Sequence, residues 1–196
     1  LSVTVTPVND PPVANEAAGT TNEDQSIVIS LSGTDIDGDN LTFSLGSDPA
    51  NGTATLDGSL ATYTPNTDFN GTDSFTFFAS DGDLSDEATV SITIDAVNDA
   101  PELEIVSESS FNEDGLGELS LVASDIDGDE LTFSIEGGTN ITATLDGNQL
   151  SFSAAPDFNG SESFTISVTD GEYTDTQILS VTVTPVNDPP VANEAA

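Results

Sequence analysis

The sequence predicts an all-β chain of two tandem seven-stranded Greek-key β-sandwiches, and three observations carry that reading. Apolar residues alternate with Ser and Thr at period two, Asn-Gly and Asp-Gly turn signals recur at short intervals, and the whole pattern repeats about every 90 residues. No window has the spacing of an amphipathic helix.

The repeat comes first. Residues 1–18, LSVTVTPVNDPPVANEAA, recur unchanged at 179–196, so the long period is 178 residues. A half-period lies within it. NED at 22 returns at 112 and DIDGD at 35 returns at 125, each at an offset of 90, while DFNG at 68 returns at 157 and VND at 8 at 97, each at an offset of 89. The expected organisation is the end of a preceding repeat over 1–10, a first repeat over 11–100, a second over 101–189, and the start of another over 190–196. With no initiator Met and no leader peptide, the chain reads as an internal excerpt of a longer array.

Within the first repeat, strands are expected near 13–20, 25–32, 41–46, 53–57, 60–65, 73–80 and 86–97. Asp48-Pro49, Asn51-Gly52, Asp57-Gly58, Asn70-Gly71 and Asp81-Gly82 punctuate them, because Gly supplies positive φ and Pro cannot continue a ladder. In the last run Val90, Ile92 and Ile94 face inward while Ser91, Thr93 and Asp95 face out, and Leu179, Val181 and Val183 repeat the pattern. Leu41, Phe43, Phe69, Phe75 and Phe77 are the expected core, with Leu131, Phe133, Phe158, Phe164 and Ile166 as their partners in the second repeat. Seven such strands in about 90 residues match the immunoglobulin-like sandwich. Disorder is the competing reading of the composition, but a disordered chain has no reason to keep Phe at matching offsets.

Composition then bounds function. The 196 residues include 36 Asp and Glu and no Lys, Arg, His, Cys, Met or Trp, for a net charge of −36. Charge on that scale opposes compaction unless cations neutralise it. Without Lys or Arg, neither nucleic acid nor an anionic membrane surface is an expected partner, and no apolar run approaches membrane-spanning length. Without Cys or His, calcium or magnesium on oxygen ligands is the natural metal chemistry. The same absences remove the usual nucleophile and base pairs, so an enzyme is not expected.

Successive strands run up and down, so loops alternate between two ends. One end of the first repeat should carry Asn22-Glu23-Asp24, Asp68 and the exit Val97-Asn98-Asp99. The facing end of the second should carry Asp125-Ile126-Asp127-Gly128-Asp129 and Asp170. End-to-end stacking would gather these acids at one junction, where calcium accepts six to eight oxygens in irregular geometry. Asp125 and Asp127 are expected to point one way while Ile126 turns toward the core. A solvated turn is the alternative reading of DIDGD. An EF-hand does not fit, because Asn40 and Gly46 stand where its Gly and Glu belong.

The string ASDGDLSDEATVSITIDAVNDAP at 79–101, with NED upstream and DIDGD in the following unit, resembles cadherin-type repeats. More closely it is similar to the bacterial cadherin-like tandem repeats in the extender regions of giant Gram-negative adhesins of the repeats-in-toxin (RTX) class, although the glycine-rich nonapeptide of calcium β-rolls is missing. The resemblance implies Ca2+ between successive domains, with Glu23, Asp68, Asn98, Asp99, Asp125, Asp127 and Asp170 as ligands. The repeat carries the same roles to Asn9, Asp10, Asp35, Asp37 and Asp81 at one outer end and to Glu113, Asp157, Asn187 and Asp188 at the other. The linker is shorter than the cadherin pattern, and Asp68-Phe69-Asn70 lacks the expected Glu.

The expected function is therefore a calcium-rigidified spacer of a secreted, cell-surface adhesin, projecting adhesive domains for cell adhesion and biofilm formation. Its partners would be neighbouring repeats of the same polypeptide. A module binding surface polysaccharide, or making homotypic contacts, is the alternative. It has little aromatic support, since there is no Trp and Tyr63 and Tyr173 do not match between repeats. The sequons at Asn51, Asn70, Asn140 and Asn159 carry little weight in a chain this rich in Ser and Thr.

Overall fold

The structure, a computed structural model, describes residues 1–6, 8–104 and 108–189. The expected start of a further repeat at 190–196 lies outside the described residues. The chain divides into two units, Leu1–Val97 and Asn98–Ala196. All regular structure among the described residues is β, and no helix is long and apolar enough to cross a membrane.

The first unit contains β1 (Val13–Asn15), β2 (Ala17–Asn22), β3 (Ile27–Ser30), β4 (Ser32–Thr34), β5 (Thr42–Leu45), β6 (Gly52–Asp57), β7 (Leu60–Pro65), β8 (Gly71–Ser80) and β9 (Ser85–Asp95). They form a four-stranded sheet in the order β2-β9-β8-β5, a three-stranded sheet in the order β3-β7-β6, and the pair β1-β4. The β2-β9 pairing is parallel, from Ala17 opposite Val90 to Asn22 opposite Asp95. The second unit repeats this with β10 (Glu102–Leu103), β11 (Glu108–Asn112), β12 (Leu116–Ser120), β13 (Ala123–Ser124), β14 (Thr132–Gly137), β15 (Ile141–Asp146), β16 (Gln149–Ala154), β17 (Gly160–Thr169) and β18 (Thr174–Thr184). Its sheets run β11-β18-β17-β14, β12-β16-β15 and β10-β13.

Two of the seven expected runs are each broken in two. At Glu16 the chain leaves its antiparallel pairing with β4 and joins β9 in the other sheet. At Leu31 the second run breaks: its amide makes the last bond in the β3-β7 register, to Ser59 O, and β4 then pairs with β1. Crossing between sheets lets one extended run serve both edges of the sandwich. Asp86 anchors the crossing strand by accepting a hydrogen bond from Ala14 N at 2.9 Å, and Asp175 does the same for Leu103 N in the second unit at 2.9 Å.

The core follows the period-two pattern. Phe75, Phe77, Ala79, Val90, Ile92 and Ile94 are buried, while the residues between them on β8 and β9 remain accessible. Each large apolar side chain taken from water in this way contributes about 1.5–3 kcal/mol before the entropy of ordering it. Phe43 and Phe69 pack against this cluster from its margin, and Leu131, Phe133 and Phe158 do so in the second unit, whose centre holds Phe164 and Ile166. Tyr63 is fully buried at the centre of the first unit, and Phe152 occupies the matching place in the second.

Tyr63 needs a partner for its hydroxyl, and Asp73 supplies it, accepting from Tyr63 Oη at 3.0 Å. Asp73 also accepts from the backbone amides of Ala50, Asn51 and Ser74, tying the β5-β6 loop to β8. Burial pushes the Asp73 carboxyl up, but these donors outweigh it and hold the group below its ordinary value. Burial first, then the hydrogen bond to Asp73, pushes the Tyr63 phenol far up. In the second unit Glu162 takes over the loop with one more methylene of reach, accepting from the amides of Thr139, Asn140 and Ile141. Those bonds, led by Thr139, bring its carboxyl down to about 2.

Candidate metal centre

Each unit presents acidic loops at two ends. At the end of the first unit nearest its exit, Glu23 follows β2 and is 3% exposed; with Glu113 at 6% in the second unit, it is one of the two buried charged side chains among the described residues. An ionised carboxylate at that depth requires hydrogen-bond donors or a cation. Glu23 Oε1 accepts the Val97 amide, its own amide donates to Asp95 O, and Asn70 Nδ2 lies 3.5 Å from Oε2. Glu113 repeats this, accepting from Val186 N at 2.6 Å and donating its amide to Thr184 O.

Backbone strain gathers at the same end. Among the described residues, four non-glycine residues have positive φ: Asp24 and Asp68 in the first unit, Asp114 and Asp157 in the second, at 56° to 60°. Asp tolerates the left-handed region better than most residues, yet it still costs free energy there. Asp68 N donates to Asp24 Oδ1 at 3.3 Å, so the two strained turns are coupled within the first unit.

The opposite end is built around the DIDGD loop. Asp35 Oδ1 accepts from the amides of Asp37, Gly38 and Asp39, and Asp125 Oδ1 from those of Asp127, Gly128 and Asp129. This curls the loop around one oxygen of the first Asp. The second oxygens, Asp35 Oδ2 and Asp125 Oδ2, are out of contact with solvent and have no hydrogen-bond partner. Asp125, Asp127 and Asp129 each offer a carboxylate oxygen, all within 4.8 Å of one another. Like charges this close repel unless a cation shares them.

The chain entering each unit is fixed to this loop. In the first unit Asp10 N donates to Asp37 Oδ2 at 2.8 Å and Asn9 Nδ2 to Asp81 Oδ2 at 3.0 Å. In the second, Asp99 N donates to Asp127 Oδ2 at 2.8 Å and Asn98 Nδ2 to Asp170 Oδ2 at 2.9 Å. Desolvation pushes the Asp170 carboxyl up, but Asn98 and the amides of Glu172 and Tyr173 hold it below its ordinary value. Asp81 is held low by the Leu84 amide and the Asn9 side chain. Asn187 Nδ2 bonds to Asp188 O as Asn98 Nδ2 bonds to Asp99 O, both at 3.3 Å.

One placement differs from expectation. Ile126 is 62% exposed and Ile36 83%, so neither turns toward the core. The three amides wrapped on Asp125 Oδ1 bend the segment into a turn, and the strand-like alternation that would send Ile126 inward does not apply. Asp24 and Asp129 lie in the loops that the sequence placed at the junction but were not assigned as ligands, although Asp129 groups with Asp125 and Asp127 and Asp24 accepts from Asp68 N. The repeat offset of 90 between Asp24 and Asp114, and between Asp39 and Asp129, is the signal that could have found them.

The bacterial Ig domain family matches the chain twice, at residues 9–93 and 98–182. The chain belongs to that family. Its two bacterial Ig domains share the fold of cadherin domains. Human protocadherin-24 EC1-2 Form II is 16% identical over 88% of this chain and 98% of that one, with a TM-score of 0.60. The extracellular cadherin domains 1–4 of protocadherin gamma B7 are 18% identical over 88% and 49%, with a TM-score of 0.54. An endo-fucoidan hydrolase from glycoside hydrolase family 107 aligns at 25% identity over 94% of this chain with a TM-score of 0.40, and the chain spans only 30% of it. No curated protein matches.

The donor set suits one class of ion. It consists of carboxylates, Asn amides and backbone carbonyls, with no nitrogen or sulfur ligand anywhere in the chain. Hard cations that take many oxygens fit such a set, and calcium tolerates its irregular spacing better than magnesium.

Proposed function

We propose that these two bacterial Ig domains are a calcium-stiffened spacer of a long cell-surface adhesin, non-enzymatic and extracellular. The observation that carries the reading is the paired Asp35 Oδ2 and Asp125 Oδ2, buried without hydrogen bonds in the same loop of both domains. Evolution has little reason to desolvate an acceptor twice unless a cation meets it.

Val97 ends one unit and Asn98 begins the next. Each is already hydrogen-bonded to an acidic residue of its own unit, Glu23 and Asp170 respectively. In the proposal, Glu23 and Asp68 from one domain and Asn98, Asp99, Asp125, Asp127 and Asp170 from the next hold Ca2+ together. Asn9, Asp10, Asp35, Asp37 and Asp81, with Glu113, Asp157, Asn187 and Asp188, serve the outer junctions. Calcium would supply the positive charge that a chain of −36 lacks, turning repulsion between acidic ends into a stiff joint. An array of such joints projects adhesive domains from a Gram-negative cell of the RTX adhesin type, in support of adhesion and biofilm formation.

A ligand-binding reading has one observation on its side. A groove of about 520 Å³ lined by Leu41, Phe43 and Leu56 recurs at about 480 Å³ beside Leu131, Phe133 and Leu145. Sugar recognition favours exposed aromatic rings, however, and Tyr63 is spent in the core.

Small-angle scattering and thermal melting with calcium or with excess chelator test the spacer. Chelation should broaden the distribution of inter-domain distances and lower the melting temperature. Unchanged profiles in both would refute it.

A further inference from the structure

The chain has three Asn-Gly dipeptides, Asn51-Gly52, Asn70-Gly71 and Asn159-Gly160. Such pairs are chemically labile because glycine leaves its own backbone nitrogen unhindered beside the Asn side chain. The fold treats the three nitrogens differently.

Gly71 faces Ile94 across β8-β9, and the hairpin bond from Asp81 N to Leu84 O sets the alternation of that ladder. Counting back two residues at a time, Gly71 stands in a hydrogen-bonded pair, with its amide donated into the sheet. Gly160 faces Val183 in the matching register of β17-β18. Gly52 is the opposite case. Asn66 N donates to Asn51 O, which makes Asn51 and Asn66 the hydrogen-bonded pair and Gly52 with Pro65 the open one. The Gly52 amide therefore points away from β7 toward the free edge of the sheet, where no strand among the described residues pairs with β6. Asn51 itself is held in place by its own amide on Asp73 at 2.8 Å.

We infer that Asn51 is the site of spontaneous deamidation in the folded protein and that Asn70 and Asn159 are protected. The Gly52 nitrogen loses its proton and bonds to Asn51 Cγ, and ammonia departs with the side-chain nitrogen, leaving a succinimide. Water then opens either carbonyl, giving aspartate or isoaspartate at position 51. The new carboxylate arises next to Asp73, whose hydrogen bonds fasten this loop, so the product weakens the first domain and leaves the second, which has Asn140-Ile141 at this place, untouched.

The test incubates the whole chain at mildly alkaline pH, folded in calcium and separately unfolded in urea. Peptide mapping with a protease that cuts at aromatic residues then follows the amide-to-acid mass gain at each Asn. In the folded chain Asn51 should convert several-fold faster than Asn70 and Asn159, and in urea the three should converge. Solvent exposure alone favours Asn70 and Asn159, which are exposed whereas Asn51 is half-buried. If Asn159 or Asn70 leads in the folded chain, or Asn51 leads equally in urea, the inference is overturned.

Discussion

Replacing Tyr63 by Phe removes one hydroxyl and nothing else from the core of the first domain. That hydroxyl lies 3.0 Å from Asp73 Oδ2 and 3.4 Å from Asn51 O, so the Asp73 contact dominates. Asp73 keeps three backbone donors, at 2.8–3.0 Å, after the change. The loss should therefore sit at the low end for a hydrogen bond to a charged group, about 1.5 kcal/mol. For a domain of this size that lowers the melting temperature by about 6–12 °C. No steric penalty offsets this, since Phe152 fills the matching place in the second domain. Differential scanning calorimetry of the two-domain chain should show the transition of the first domain falling while that of the second stays put. A first transition that does not move, or two that fall together, would refute the assignment of Asp73 as the latch of this loop.

Further outcomes follow from the same geometry. Glu162 has a folded value of about 2 against 4.5 ordinarily, so its contribution to the second domain is complete above about pH 4.5 and is lost as pH falls toward 2. Acid melts of Glu162→Gln should be flatter over that window, and identical slopes would contradict the role. Asp157→Gly relieves a left-handed residue and should raise calcium-free stability by up to about 1 kcal/mol while reducing the increment from added calcium, as read by chemical denaturation in both conditions. Phe164→Ala empties the centre of the second domain and should cost about 3–5 kcal/mol, abolishing its cooperative transition without removing that of the first.

The architecture was legible because β8, β9 and their counterparts keep strict alternation and are bounded by Asn-Gly and Asp-Gly turns. The breaks at Glu16 and Leu31 were not, since nothing local at either residue encodes a change of partner strand; the pairing of β1 with β4 is a tertiary choice. Counting strands singled out the acidic loops, and within the units Glu23 accepts from Val97 N, Asp37 from Asp10 N and Asp127 from Asp99 N. Asp73 and Glu162 escaped notice because they differ between repeats and lie inside a strand of Ser, Thr and Phe. Ile126 misled for the converse reason, as an apolar residue in a segment whose turn is made by side-chain acceptance rather than by strand pairing.

The most direct measurement of the central claim is a calcium titration by isothermal calorimetry of the chelator-stripped chain beside its Asp125→Ala variant, with circular dichroism confirming that both remain folded. Saturable calcium heat that is markedly reduced in the variant is the predicted result. A folded wild-type chain with no saturable heat, or a variant that titrates identically, would contradict it.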